Sequence, residues 1–467
     1  MSVLHKLRHY VKKYFDRISN ERLKTNLLQA LPFWFAALIA GLVAVFYAKL
    51  FSWAEDITHY ILLHGKVFLF IITPACFLIA WWLVHRFAPF AAGSGIPQVM
   101  ASIELATPKH HDKVDKLLSL KIICIKILSS LLMVAGGGIV GREGPTIQIS
   151  ASIFRTINRW LPAWWPKISK RNMIMTGAAA GLAAAFNTPL GGIVFAVEEL
   201  TKTHISYFKT ALFSAIIIAG LTAQALLGPY LYLGFPDVDS QTYTILFWVI
   251  LVAIITGLLG SIMSKIIVAI IRWKSTFTRQ RQTILYLLAC GLLVATAGYF
   301  MHASAIGSGK EIMTQTLFTG DKQVPWYLPL MRIEGLIASF TSGAAGGVFA
   351  PSLSAGASIG SMVSGWHTFS PQDTNILILA GMAGFLTGVT RTPFTSAILV
   401  LEMTNRHSII FHLMLAGMIA SLAALIIDRH SFYDHLKINY LKKVLHEEAP
   451  ANSSSTDPHK PREQEAS

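Results

Sequence analysis

Three short stretches combine glycines, a small or charged residue and a proline placed to open a helix: Gly93-Ser-Gly-Ile-Pro97, Gly141-Arg-Glu-Gly-Pro145 and Gly347-Val-Phe-Ala-Pro351. Glycine permits unusual backbone angles. Proline suits the first helical turn, where its missing N–H would have no partner anyway. The other first-turn N–H groups are unpaired, and the aligned peptide dipoles give that end roughly half a positive charge. Three such ends converging in a low-dielectric interior would hold an anion without any full positive charge. A lysine in their place would hold the anion too tightly, because conduction needs weak, multiple sites. Each stretch alone reads equally well as glycine-mediated helix packing; the three together favour an anion site.

Glu143 lies inside the second stretch. An embedded carboxylate costs on the order of several kcal/mol and marks function by default. A helix end that accepts an anion also accepts a carboxylate. Glu143 can therefore compete with the anion and leave once protonated, which links proton movement to anion movement. Arg142 beside it reads as a structural counter-ion. Glu198 and Glu199 end the apolar run that starts at Asn172. They read either as an inner proton acceptor or as interfacial residues near Lys202.

These groups need elements that hold them in a membrane. The chain has 467 residues, 53% hydrophobic and only 13% charged, with a mean hydropathy of +0.53. An ordinary soluble domain carries about 25% charged residues. A soluble enzyme, a disordered hub and a secreted disulfide scaffold are all excluded. Cys76, Cys124 and Cys290 sit in apolar stretches and read as small core residues, not a disulfide framework or a zinc site. The net charge of +15 gathers in residues 1–26, 155–171 and 265–281. These clusters flank apolar runs, which points to a cytoplasmic face and not to nucleic acid. No cleavable signal is evident in the basic, amphipathic first 26 residues.

A spanning helix needs about 20 apolar residues. The runs 67–84, 172–197, 210–233, 241–264, 283–309 and 407–427 contain no Asp, Glu, Lys or Arg, and 31–54 contains only Lys49. The expected fold class is therefore an all-α polytopic membrane protein; a β-barrel would alternate in segments of about ten residues. Gly335–Gln372 is 38 residues without a charge, too long for one span and interrupted by Gly343, Gly346, Gly347 and Pro351. Irregular backbone at membrane depth is tolerated where protein buries it or where it lines a wet cavity.

The two halves of the chain match. Residues 145–153 align with 351–359 at an offset of 206, and Asn187-Thr-Pro189 aligns with Arg391-Thr-Pro393 at 204. Glu198 and Glu402 each follow the proline of the latter pair by nine positions, and Gly93-Ser-Gly95 matches Gly307-Ser-Gly309. Paired, interrupted segments in two halves mark a transporter site near the midplane. The expected division is a basic segment 1–28, a first repeat 29–235, a second repeat 236–435 and a short, disordered cytoplasmic tail 436–467.

With GSGIP at 93–97, GREGP at 141–145, GGVFAP at 346–351, GAAAGLAAAFNTPLGGIVFAVEEL at 177–200 and LVLEMT at 399–404, the chain resembles the CLC family of chloride channels and chloride/proton antiporters over about residues 30–435. The resemblance implies a homodimer, an inverted internal repeat with broken and tilted helices, and one anion pathway per subunit. It implies that Ser94, Val348, Phe349 and Tyr433 contact the anion, Tyr433 forming the inner gate. Glu143 would be the external gating glutamate, Glu199 the internal proton glutamate of exchangers, and Glu198 an aid to proton or water entry. Because channels of the family tend to replace Glu199, exchange is expected, with a passive voltage- or pH-gated chloride channel as the alternative. Serine in GSGIP favours chloride over nitrate, and the GSGIP/GREGP pair favours it over fluoride. Ala345 departs from the proline of many relatives, and the tail is too short for nucleotide-binding modules. A multi-pass protein of a bacterial plasma membrane is expected, the inner membrane if Gram-negative, with both termini cytoplasmic and with chloride, protons and lipid as partners.

Catalysis is not expected. His110 and Asp115 match an acyltransferase spacing, but Lys113 and Lys116 make the stretch a polar loop. Gly307-Ser-Gly-Lys310 is not a phosphate loop, since Glu311 follows the lysine. No cofactor motif is present, and the histidines show no metal-ligand spacing, so no metal is expected.

Overall fold

Long apolar runs become long helices wherever glycine and proline leave them intact. A computed structural model describes residues 21–201, 209–228, 231–239, 244–301 and 303–446. The basic residues up to 20, Lys202 and the tail 450–467 lie outside the described residues. The first half contributes α1 (Glu21–His64), α2 (Leu69–Phe87), α3 (Ile96–Leu105), α4 (Leu120–Ala135), α5 (Glu143–Trp160), α6 (Lys170–Phe186), α7 (Pro189–Phe195) and α8 (Lys209–Leu227). The second contributes α9 (Ile245–Lys274), α10 (Gln280–Phe300), α11 (Lys310–Phe318), α12 (Leu328–Thr341), α13 (Phe349–Ser364), α14 (Pro371–Thr390), α15 (Pro393–Thr404), α16 (Ile410–Ile427) and finally α17 (Phe432–His446). Among the described residues the only extended pairing is two isolated bridges, Gly93 with Ala345 and Gly141 with Gly347.

Among the described residues eight helices are long and apolar enough to cross a bilayer, and the chain is a multi-pass membrane protein. The spans depart from the uncharged runs at 172–197 and by two additional spans, Val114–Ala135 and Pro371–Thr390, the latter carrying Asp373. The run 172–197 is two helices, because Asn187 turns left-handed (φ 59°) and Pro189 restarts the chain as α7. The span at Val114–Ala135 carries Lys121 and Lys126, and charge hides it from a count of uncharged runs.

Layering follows from side-chain size. α5, α6, α13 and α14 are buried along nearly their whole length. Their contacts use small residues: a side chain at Gly356 would strike the Gly381 backbone, and one at Gly177 would strike Ala151 and Phe154. Without a hydrophobic drive between helices in lipid, such close backbone approach supplies the packing energy. Phe46, Phe68, Phe411 and Ile426 point outward from the surrounding helices, as lipid contact allows.

The two halves form an inverted repeat, and their contacts are reciprocal. The Glu198 carboxylate accepts the N–H groups of Phe394 (3.2 Å) and Thr395 (2.7 Å), capping α15. Glu402 accepts those of Leu190 (3.1 Å) and Gly191 (2.6 Å), capping α7. Every member of one cap is the other shifted by the same 204 positions, which is the signature of a two-fold relation. Gly141 and Gly347 likewise exchange N–H···O bonds of 2.8 and 2.7 Å. The expected tail boundary at 436 falls inside α17. Ser431 caps that helix by accepting Asp434 N–H at 3.0 Å, Leu436 and Val444 are buried, and Lys437 pairs with Glu104 at 2.6 Å.

Candidate anion and proton site

The three glycine-proline stretches meet. Helices α3, α5 and α13 begin at Ile96, Glu143 and Phe349, so each motif is a helix N-terminus. Gly95 has φ 104°, where only glycine sits without strain. A side chain at Gly144 would collide with Ser94 Oγ and come within 3.3 Å of Gly347 Cα. That one position places all three loops in contact. Val348 caps α13 and Phe349 is its first residue, both fully buried, so their N–H groups belong to the first turn, which helical bonding leaves open.

Around this junction polar groups are left without partners. Ser94 Oγ and Tyr433 OH are buried neighbours, and neither has a hydrogen-bond partner outside the pair. Buried hydroxyls normally find an acceptor. Two donors beside open helix ends make a slot for a guest that only accepts, which is what a halide does. The Tyr433 ring stacks on Phe349 with centroids 6.3 Å apart and planes 14° from parallel.

Glu143 is fully buried, and its carboxylate folds back on its own helix start, within reach of the Glu143 and Ala350 amides. Its Oε2 has no partner and would touch any side chain at Gly141. The carboxylate thus occupies anion-type positions at two helix ends at once. A cavity of about 270 Å³ ends on it, lined by Lys49, Glu55, Arg142, Ser308 and Lys310. Glu55 accepts a hydrogen bond from Ser308, tying the first repeat to the second. A separate cavity of about 450 Å³ ends on Ser94 and is edged by Arg272, Lys274, Lys442 and Lys443. One cavity thus ends on Glu143 and the other on Ser94, with basic side chains on both.

Glu198 and Glu199 sit on a π-helical turn, Ala196–Leu200, inserted after α7. Such turns rotate side chains out of register. Here Glu199 turns inward and is buried, while Glu198 turns outward, half-buried, to cap α15. Tyr433 lies within electrostatic reach of both Glu199 and Glu143.

Lys126 and Arg332 are site residues that sequence reasoning missed. Both are fully buried and stand 206 positions apart, at the repeat offset. Lys126 Nζ donates to the carbonyls of Ala91 (3.0 Å) and Gly93 (2.8 Å). Arg332 donates to Ser304, Ile306 and Gly307 at 3.0–3.3 Å. Basic side chains are therefore present, holding the carbonyls of the loops at 91–93 and 304–307. The offset was the available signal. Ala345 also gains an account: its N–H donates to Ser129 Oγ at 3.0 Å, a bond that proline could not make. Asp115 pairs with Arg155 (3.0 Å) and Arg159 (3.3 Å).

A family model described as "Voltage gated chloride channel" matches residues 76–425. The H(+)/Cl(-) exchange transporter ClcA of Salmonella typhimurium is 26% identical over 438 residues, covering 89% of each chain. ClcA of Vibrio parahaemolyticus is 28% identical over 390 residues, covering 81% of each. Among solved structures, a slow cyanobacterial Cl-/H+ antiporter superposes with a TM-score of 0.77 at 22% identity, over 89% of this chain and 98% of that one. A CLC-type fluoride/proton antiporter gives 0.71 at 21% identity, over 89% and 98%.

Proposed function

The chain belongs to the voltage-gated chloride channel family, and from that premise we propose that it exchanges chloride for protons across a bacterial plasma membrane. The observation that carries this reading is the Glu143 carboxylate lodged at two helix ends beside the buried hydroxyls of Ser94 and Tyr433. Chloride and the carboxylate compete for one set of donors. When Glu143 takes up a proton its charge vanishes, its hold on the amides weakens, and chloride enters. Ser94, Tyr433 and the amides of Val348 and Phe349 bind the anion. Glu199, buried within electrostatic reach of Tyr433, passes the proton between the inner aqueous cavity and Glu143.

The basic clusters at 155–171 and 265–281 orient the protein. By the positive-inside rule they support an orientation with the cavity edged by Arg272 and Lys274 inside, the Glu143 cavity outside and both termini cytoplasmic. The chain works as a homodimer. Glu198 and Glu402 are half-buried carboxylates beside outward-facing Leu190, Val197 and Phe394. A carboxylate facing lipid is costly, so a second copy covers that face. The two repeats meet at the site, with boundaries near 29–235 and 236–435.

Reconstitution tests the reading. In proteoliposomes an imposed chloride gradient should drive protons uphill, and Glu143→Gln should abolish that movement while chloride still passes. Chloride flux with no proton movement in the unaltered protein would make it a passive channel.

A further inference from the structure

We propose that Asp428, His430 and His435 form a site for a zinc-like divalent transition metal, which clasps the end of the last span to the first turn of the helix carrying Tyr433. No ligand pattern is visible in the order Asp-x-His-x4-His, because the ligands straddle a turn. Asp428 ends α16, His430 lies in the connection, and His435 is in the first turn of α17. Folding brings Asp428 Oδ2 to 3.0 Å from His435 Nε2 and Asp428 Oδ1 to 3.9 Å from His430 Nδ1. The two imidazoles lie 5.6 Å apart at 67°, and the three ligand atoms fall within 4.8 Å of one another.

Tetrahedral zinc with ligands at about 2.0–2.1 Å needs donor atoms about 3.3 Å apart. The Asp428–His435 pair is already closer than that, Asp428–His430 is slightly farther, and the full set of three donors lies within 4.8 Å of one another. Small side-chain rotations close the set, leaving a fourth position for water or an anion. Two imidazoles and one carboxylate suit zinc and its first-row neighbours over calcium or magnesium, which prefer oxygen alone. The carboxylate is held in place, as metal sites require of their outer contacts. His430 N–H donates to Asp428 Oδ1 at 2.9 Å. Arg391 donates to the Asp428 carbonyl at 3.0 Å and to Ala424 at 2.9 Å, anchoring the turn to α14. Among the described residues this is the one group of three such side chains placed to share an ion.

The location gives the metal a consequence. Tyr433 lies between His430 and His435 in the chain and is fully buried against Phe349. A metal joining Asp428 to His435 fixes the start of α17 in the arrangement that buries Tyr433. Bound metal therefore slows transport by holding the inner approach shut, a consequence that rests on the role of Tyr433 proposed above.

Zinc titration of the purified full chain by calorimetry tests the site whether or not the chain exchanges chloride for protons. The unaltered protein should bind one zinc per chain more tightly than any background. His430→Gln, at an exposed position, should weaken binding at least tenfold, and the variant H430Q/H435Q should abolish it while keeping its melting behaviour. Zinc binding that is absent, or the same in that double variant, overturns the site. In proteoliposomes, zinc on the inner side should slow chloride flux through the unaltered protein and not through H430Q/H435Q. Tight binding with unchanged flux overturns the effect on the gate.

Discussion

Replacing Glu198 and Glu402 one at a time by glutamine tests the reciprocal caps directly. Each carboxylate accepts two backbone N–H groups, Glu198 those of Phe394 and Thr395, Glu402 those of Leu190 and Gly191. A hydrogen bond to a charged group contributes about 1.5–3 kcal/mol. Glutamine keeps one acceptor oxygen and turns an NH₂ group toward the second amide, so E402Q should cost about 1.5 kcal/mol. Glu198 makes one contact more, accepting the Thr395 hydroxyl at 2.7 Å. The matching residue in the other cap is Gly191, which has no hydroxyl. The Thr395 N–H and hydroxyl reach the same carboxylate oxygen, Oε2, so a glutamine there can keep both with its amide oxygen and lose only the Phe394 contact; E198Q should therefore cost about as much as E402Q. Thr395→Val should cost about 1 kcal/mol, alone or on the E198Q background, because the glutamine oxygen still accepts that hydroxyl. Thermal unfolding of the purified protein in detergent should place E198Q and E402Q together at the lowest stability, with T395V between them and the unaltered protein. If E198Q melts like the unaltered protein while proton flux falls, the cap is wrong and Glu198 serves proton entry instead.

Glu199→Gln should keep chloride flux within about twofold and lose proton coupling, read as uphill proton movement in proteoliposomes; retained coupling refutes its assignment. Lys126→Met removes a fully buried amine that donates to two carbonyls. The Gly93 loop should then lose its orientation and chloride affinity should fall at least tenfold by calorimetry, with K126R partly restoring it. Tyr433→Phe keeps the stacked ring and deletes one donor, about 1 kcal/mol or roughly fivefold in chloride affinity. Ser94→Ala should cost a similar amount, and an unchanged affinity in both would empty the slot of its donors.

Much of the architecture was legible without coordinates because membrane solvation acts residue by residue. An apolar run such as 407–427 must be a helix, since its backbone has no other partner in lipid. The glycine-proline stretches announced helix starts for local reasons of backbone angle, and the structure begins α3, α5 and α13 there. Legibility failed where charge and burial coincide. Val114–Ala135 was masked by Lys121 and Lys126, and the buried Lys126 makes sense only once two loop carbonyls lie beside it. Glu198 and Glu199 were indistinguishable as neighbours until a π-turn sent one outward to a cap and the other inward. The histidines looked unpatterned because Asp428 and His435 stand on opposite sides of a turn.

The sequence by itself determined that this is a helical membrane protein built from two matching halves, with an acidic residue at an embedded helix start. Those properties follow from hydropathy, from spacing and from the conformational freedom of glycine and proline, all of which are local. Only the tertiary structure decided that Gly144, Ser94 and Gly347 touch, that Glu198 and Glu402 cap each other's halves, and that buried basic side chains hold loop carbonyls. Those outcomes depend on how two halves some 200 residues apart in the chain dock, and the hydrogen bonds that close the site cross that junction.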